Sequence, residues 1–181
     1  MPTDFSSLGI SETFEPVYSG RLIVLGCARC VWDDLQAAIV VHGPPSSWHL
    51  MAVNDAIAYC PFEVTHGYSD HADLLDGWAT RSKWSPALHT ATQDAPVGIR
   101  RWPWPRHGSS SLGAVYTGLA LGYDEIVLCG VPLDGTGHFY DPYWVSTPQM
   151  AGESRYWENA AKKVLGGRVR SMSGRTREIL G

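Results

Sequence analysis

The chain has 181 residues, 44% of them hydrophobic and 18% charged, a balance that fits one globular domain with a substantial core and excludes intrinsic disorder. The formal net charge of −4 argues against a nucleic-acid surface built on bulk electrostatics. No apolar run reaches the ~18 residues that span a membrane, and the amino terminus, MPTDFSSLGISETFEP, lacks the basic and apolar regions of a signal peptide, so a cytoplasmic site is expected.

Residues 1–20 read as an irregular arm and residues 21–181 as one α/β domain. Arg21 to Gly26 (RLIVLG) is a short apolar run ending in glycine, as a buried parallel strand should. Val31 to Val41 carries apolar residues at helical spacing, and GPPSS closes that unit. His49 to Val53 predicts a second strand ending at Asn54 and Asp55, and Val64 to Tyr68 a third, followed by a helix from about Asp70 to Arg81 with Asp70 as its cap. Ala87 to Thr92 reads as a fourth strand. From His107 the sequence HGSSSLGAVYTGLALGYDEIVLCGVPLD opens with a serine triplet, runs as a small-residue helix to a stop at Gly122, and enters an apolar strand over Glu125 to Cys129. A last amphipathic helix covers Ser154 to Leu165, and a last strand Arg168 to Met172.

Strand and helix thus alternate at least four times, which calls for a mostly parallel sheet with helices on both faces. Ligands of such sheets bind beyond the carboxyl ends of the strands, at the topological switch point. The candidates are therefore Gly26 to Cys30, Asn54 and Asp55, His66 to His71, Thr92 and Gln93, and Gly130 to Asp134.

Several of these carry chemistry. Ser109, Ser110 and Ser111 can cap the helix start, where free N–H groups and the positive dipole end attract an anion. Gly26, in GCARC, lets backbone approach a phosphate, and Arg29 can supply charge there, although the GxGxxG fingerprint is absent. Asn54 and Asp55 read equally as a ribose or base contact and as a strand-ending Asx turn. His66 and His71 bracket Asp70; they suit a metal or acid–base pair, or a solvated surface. Cys27 and Cys30 form a CxxC, but no second CxxC completes a zinc site, and reduced thiols are the expectation for all four cysteines. In IRRWPWPRH, Arg100, Arg101 and Arg106 alternate with Trp102 and Trp104, either as a stacking phosphate grip or as a proline-stiffened loop whose tryptophans cover the core edge. The stretch Asp134 to Trp144 is polar, glycine-rich and aromatic, a loop at the ligand end of the sheet. In it His138 is a general-base candidate, and Tyr140 and Tyr143 offer hydroxyls to a phosphate.

Taken together, VLGCARCVWDDL and the later HGSSSLGAVYTGLALGYDEIVLCGVPLD resemble a Rossmann-like superfamily. It includes bacterial lipo-oligosaccharide sialyltransferases, hydroxymethylpterin pyrophosphokinase-like proteins and flagellin-modification proteins. The matching residues are Ser109 to Ser111, Leu121 to Tyr123 and Ile126 to Gly130, and Asn54 resembles the asparagine that follows the second strand and contacts the nucleotide. The resemblance covers about two thirds of the chain. The catalytic histidine that the sialyltransferases place before the last helix has no counterpart in Ala151 to Arg155. The compact chain, ending RVRSMSGRTREILG, also resembles products of tailed-phage genomes, which implies a host cytoplasm.

The resemblance implies a glycosyltransferase-like enzyme with a nucleotide-sugar donor. Gly26, Arg29 and Ser109 to Ser111 would hold phosphates, Asn54 the base or ribose, and Tyr140 or Tyr143 the leaving phosphate, while His138 or Asp134 would activate an acceptor hydroxyl. No metal is required on this reading. Pyrophosphoryl transfer is the alternative and would need magnesium, with Asp55, Asp70 and Asp134 as ligands. A third class is a non-catalytic module that binds a nucleotide, or a protein through its tryptophan-rich face. A homo-oligomer is compatible with all three.

Overall fold

The structure, a computed structural model, describes residues 2–105 and 109–181. Arg106 and His107, which the sequence places in the basic cluster and at the opening of the serine helix, lie outside the described residues.

The strands are β1 (Arg21–Leu25), β2 (His49–Val53), β3 (His66–Tyr68), β4 (Ala87–Thr90), β5 (Arg100–Arg101), β6 (Glu125–Cys129) and β7 (Val169–Ser171). The helices are α1 (Val31–His42), α2 (Ala56–Tyr59), α3 (Ala72–Arg81), α4 (Ser110–Leu121), α5 (Ser154–Ala160) and α6 (Gly174–Leu180). Among the described residues these seven strands join one sheet in the order β5-β4-β3-β2-β1-β6-β7, and each pairing between them is parallel. This is an α/β, Rossmann-like fold. Among the described residues no helix is long and apolar enough to cross a membrane.

Alternation along the central strands builds two cores, because successive side chains leave opposite faces of a strand. Leu22 and Val24 of β1 face a layer formed by α4, α5 and the arm, with Met51, Val53, Ile126 and Leu128 beside them. Ile23 and Leu25 face α1 and α3, together with Leu50, Ala52, Val127 and Cys129. Strands buried on both faces read as unbroken apolar runs, which is how these strands appear in the sequence.

The amino-terminal residues pack closely. Phe5 is buried against Trp104, Phe14 lies against Trp102 and Trp104, and Tyr18 stacks on Tyr123 with ring centroids 5.2 Å apart. Trp102 and Trp104 are themselves buried and stacked at 5.4 Å, so among the described residues of this loop the tryptophans cover the core edge. Arg100 lies over the Trp102 ring at 4.1 Å.

Three boundaries depart from the sequence reading, and β5 and α6 are additional to it. The third strand begins at His66, so His66 is a strand residue and only Ser69 to His71 follow the strand. The α3 cap position is His71, without a side-chain bond, and Asp70 instead accepts the Tyr68 hydroxyl at 3.0 Å. The fourth strand stops at Thr90, where the Thr90 hydroxyl takes the Thr92 N–H and turns the chain. Past β7 the polar stretch GRTREIL forms α6, docked by Thr176, whose hydroxyl donates to the Val131 carbonyl at 2.5 Å.

Candidate active site at the strand switch point

The chain fills β1 to β5 on one side of β1 and then returns through α4 to place β6 on the other, so the order reverses between β1 and β6. Two glycines let the backbones meet there. A Cβ on Gly26 would collide with the Gly130 carbonyl, and one on Gly130, at φ 71°, would lie 2.5 Å from Val31 Cβ. Helix α4 crosses close beneath the sheet for the same kind of reason. A Cβ on Gly118 would stand 2.6 Å from Leu22, and one on Gly113 would strike the Tyr68 ring.

Beyond the carboxyl ends lies a cleft of about 210 Å³. Its walls come from the first turn (Cys27, Ala28), the end of β2 (Val53, Asn54), the start of α4 (Ser109 to Ser111), the segment after β6 (Gly130 to Thr136) and the loop that follows (His138, Thr147, Met150), with His71 at the rim. The sequence candidates Ser109, Ser110, Ser111, Asn54, Asp134 and His138 are thus brought together. Gly26, Arg29, Tyr140 and Tyr143 are not lining residues.

At the α4 wall, Ser109 is extended (φ −105°, ψ 123°) and its hydroxyl accepts the Ser111 N–H at 3.2 Å. The Ser110 hydroxyl accepts the Asp70 N–H at 3.1 Å, tying the helix start to the β3 end. Ser111 is 8% exposed and faces the cleft, yet its hydroxyl bonds no described residue. On the β2 wall, Asn54 adopts φ 54° and accepts the Ser69 hydroxyl at 2.6 Å, which leaves its NH2 as the group for a ligand. Leu133, on the opposite wall, is the other non-glycine residue with positive φ among the described ones, also at 54°. Asp134 folds its Oδ1 back onto the Thr136 N–H and hydroxyl at 3.0 and 2.8 Å, an Asx turn.

His138 has the most developed surroundings. Its backbone pairs with Ala28, and Phe139 N–H donates to the Cys27 carbonyl at 2.9 Å. Its Nδ1 and its backbone N–H both reach Asp141 Oδ2, at 2.8 and 3.0 Å. Asp141 is not among the sequence candidates; the one sequence signal for it is the histidine three positions earlier in the same loop.

The remaining candidates have other work. Gly26 N–H donates to the Cys129 carbonyl at 2.8 Å and so belongs to the sheet. The Arg29 guanidinium donates to the carbonyls of Tyr143, Pro142 and Val145 at 2.8, 3.0 and 3.3 Å, pinning the loop. Tyr140 stacks on the His138 ring, and Tyr143 is 80% exposed. Asp55 accepts the Trp78 indole N–H at 2.9 Å, lies 3.8 Å from the Arg81 guanidinium and is not a lining residue of the cleft. Among the described residues no three His, Cys, Asp or Glu side chains gather as a metal cage, so Asp55, Asp70 and Asp134 do not converge.

Cys27 and Cys30 do not face one another as a redox pair. The Cys27 thiol donates to the Val53 carbonyl at 3.1 Å and burial pushes it up to about 12; burial also pushes Cys30 up to about 11. All four cysteines are free thiols. Cys30 instead joins a cluster the sequence did not reveal. Buried Asp34 accepts the Gly130 N–H at 2.8 Å, the Ser173 hydroxyl at 2.6 Å and the Cys30 thiol at 3.5 Å, fastening α1, the switch-point turn and the start of α6 to one carboxylate.

Compared with protein-family models, with curated proteins and with solved structures, the chain matches none.

Proposed function

We propose that this protein is a group-transfer enzyme that binds a nucleotide-activated donor in the switch-point cleft and passes the activated group to a hydroxyl acceptor, as the resemblance to the sialyltransferase-containing superfamily implies. The supporting observation is the convergence, in one cleft, of the α4 amino terminus, the Asn54 amide and the His138 ring. Helix-end N–H groups and the Ser111 hydroxyl suit a phosphate; the Asn54 NH2 suits a ribose or base oxygen. Most pockets for small ligands enclose roughly 300–1,000 Å³. The smaller cleft suits the phosphate–sugar end of a donor, with the rest outside. Departure of a phosphate needs electrostatic support, which a helix amino terminus supplies.

Isothermal titration with cytidine, uridine and guanosine nucleotides tests the reading. Heat with at least one of them, abolished by Ser110→Arg, is expected. No heat with any of them overturns it, and tight binding without turnover on any donor selects the non-catalytic module instead.

A further inference from the structure

Among the described residues two histidines, His71 and His138, line the cleft, and their rings are held differently. Among the described residues the His71 ring has no hydrogen-bond partner, whereas His138 is held from several sides. Asp141 Oδ2 accepts from His138 Nδ1 at 2.8 Å, and Asp141 N–H donates back to the His138 carbonyl at 3.1 Å, closing a tight turn. Tyr140 lies parallel to the ring, 4° between planes and 5.1 Å between centroids. The turn itself is fixed to the first-strand loop, where Arg29 N–H donates to the Gly137 carbonyl at 3.0 Å and the Arg29 side chain holds three carbonyls farther on. A carboxylate only accepts, so the proton of the neutral imidazole sits on Nδ1 and the lone pair on Nε2. The Asp141 carboxyl is itself held below the usual carboxylate range, first by the His138 backbone N–H and then by the His138 side chain.

The geometry points to His138 and Asp141 as an orienting dyad, in which Asp141 is the positioning residue that fixes the ring so that Nε2 faces the cleft as proton acceptor for the attacking hydroxyl. This rests on the proposed group transfer. In that step the hydroxyl oxygen bonds to the activated carbon as the carbon–oxygen bond to the phosphate breaks. The phosphate leaves with the electron pair and Nε2 takes the hydroxyl proton. The imidazolium that forms is stabilised by Asp141 and returns the proton to solvent.

The test reads the ring directly and needs no substrate. In long-range 1H–15N spectra, His138 of the intact protein is expected as the Nδ1–H tautomer and Asp141→Asn as a mixture or the opposite tautomer. Diethylpyrocarbonate modification of His138, followed by mass spectrometry across pH, gives a second readout. Asp141→Asn is expected to lower the alkaline plateau rate several-fold, because the Nε2 lone pair is no longer held available. An Asp141 that merely closes a turn would expose the ring when replaced, leaving the plateau unchanged or raised; that result, or an unchanged tautomer in a variant with native circular dichroism, overturns the proposal. Asp141→Glu is expected to restore part of both signals. Failure of every nucleotide to bind, with tautomer and rate behaving as described, would overturn the donor reading and leave the dyad standing.

Discussion

The indole N–H of Trp102 donates to Nδ1 of His89 at 3.1 Å, and this one bond sets the protonation of three further side chains. Indole nitrogen only donates, so His89 carries its proton on Nε2 and gives it to His66 Nδ1 at 3.1 Å. His66 must then donate from Nε2 to the Tyr123 oxygen at 2.9 Å, and the Tyr123 hydroxyl donates to His49 Nδ1 at 2.6 Å. The chain crosses β2, β3 and β4 beneath the amino-terminal residues, with Tyr18 stacked on Tyr123. Every member is satisfied in only one direction.

Replacing Trp102 by Phe keeps most of the buried area but leaves His89 Nδ1 without its donor. A buried acceptor stripped of its partner costs about 1–3 kcal/mol. Urea unfolding should show that loss with an unchanged m-value; a variant within ~0.5 kcal/mol of the parent would mean that the chain is reorganised without cost.

Acid should act on the same network. Burial, followed by the nearby His49, lowers His66 to about 4; burial, followed by His66 and Arg100, lowers His89 to about 3. Both titrate at 6.5 when unfolded, so below that pH the unfolded chain binds protons that the native chain refuses. Stability is therefore complete above pH 6.5 and falls as the pH drops toward 4. Unfolding near pH 5 should take up about two protons through these residues. Thermal unfolding across pH 4 to 8 measures it, and a flat profile in that window would contradict the assignment.

Glycine-to-alanine changes should have opposite signs at different helix positions. Gly77 of α3 has open space around a built Cβ, and Gly77→Ala should stabilise by about 0.5–1 kcal/mol through helix propensity. Gly113→Ala and Gly118→Ala should instead cost about 1–3 kcal/mol, since the methyl meets Tyr68 in one case and Leu22 and Ile126 in the other. Tyr68→Phe should recover part of the Gly113→Ala loss. Paired melting curves decide it, and equal gains at all three glycines would contradict the close crossing of α4.

Asp34→Ala should cost about 3 kcal/mol, because a buried backbone N–H and a serine hydroxyl lose a charged acceptor together. It should also speed limited proteolysis of the carboxyl-terminal helix, since the Ser173 bond is one of the links that hold the start of α6. Asp34→Asn keeps one acceptor oxygen and should lose less.

The strand–helix rhythm was legible because RLIVL, HLMAV and EIVLC are short apolar runs between glycine and polar turns. The two-residue strand β5 carries only exposed arginines, and α6 is polar with one buried residue, Thr176, so neither has a hydrophobic period to read. Asn54 was visible as a cleft candidate because the chain order places it beyond a strand end, and the serine triplet because it opens a helix whose free N–H groups attract an anion. Asp34 was not, since it follows Asp33 in the first turn of α1, where acidic residues are ordinary, and only the fold brings Gly130 and Ser173 to it. The histidine chain was hidden for a similar reason: His49, His66 and His89 occupy three different strands, and only sheet register aligns them. Arg29 is the reverse case: its position beside a glycine turn suggests a phosphate contact, but the fold turns its guanidinium onto loop carbonyls.

All twelve residues of α4 are buried, on every side of the helix. A helix sealed in this way cannot tilt or slide to follow an incoming molecule without unpacking both the sheet and the layer outside it. Its serine-bearing end is therefore set before anything arrives, and the ordering cost that flexible sites incur on binding is small there. On the proposed reading, a ligand would be selected at that wall by fit to a fixed shape.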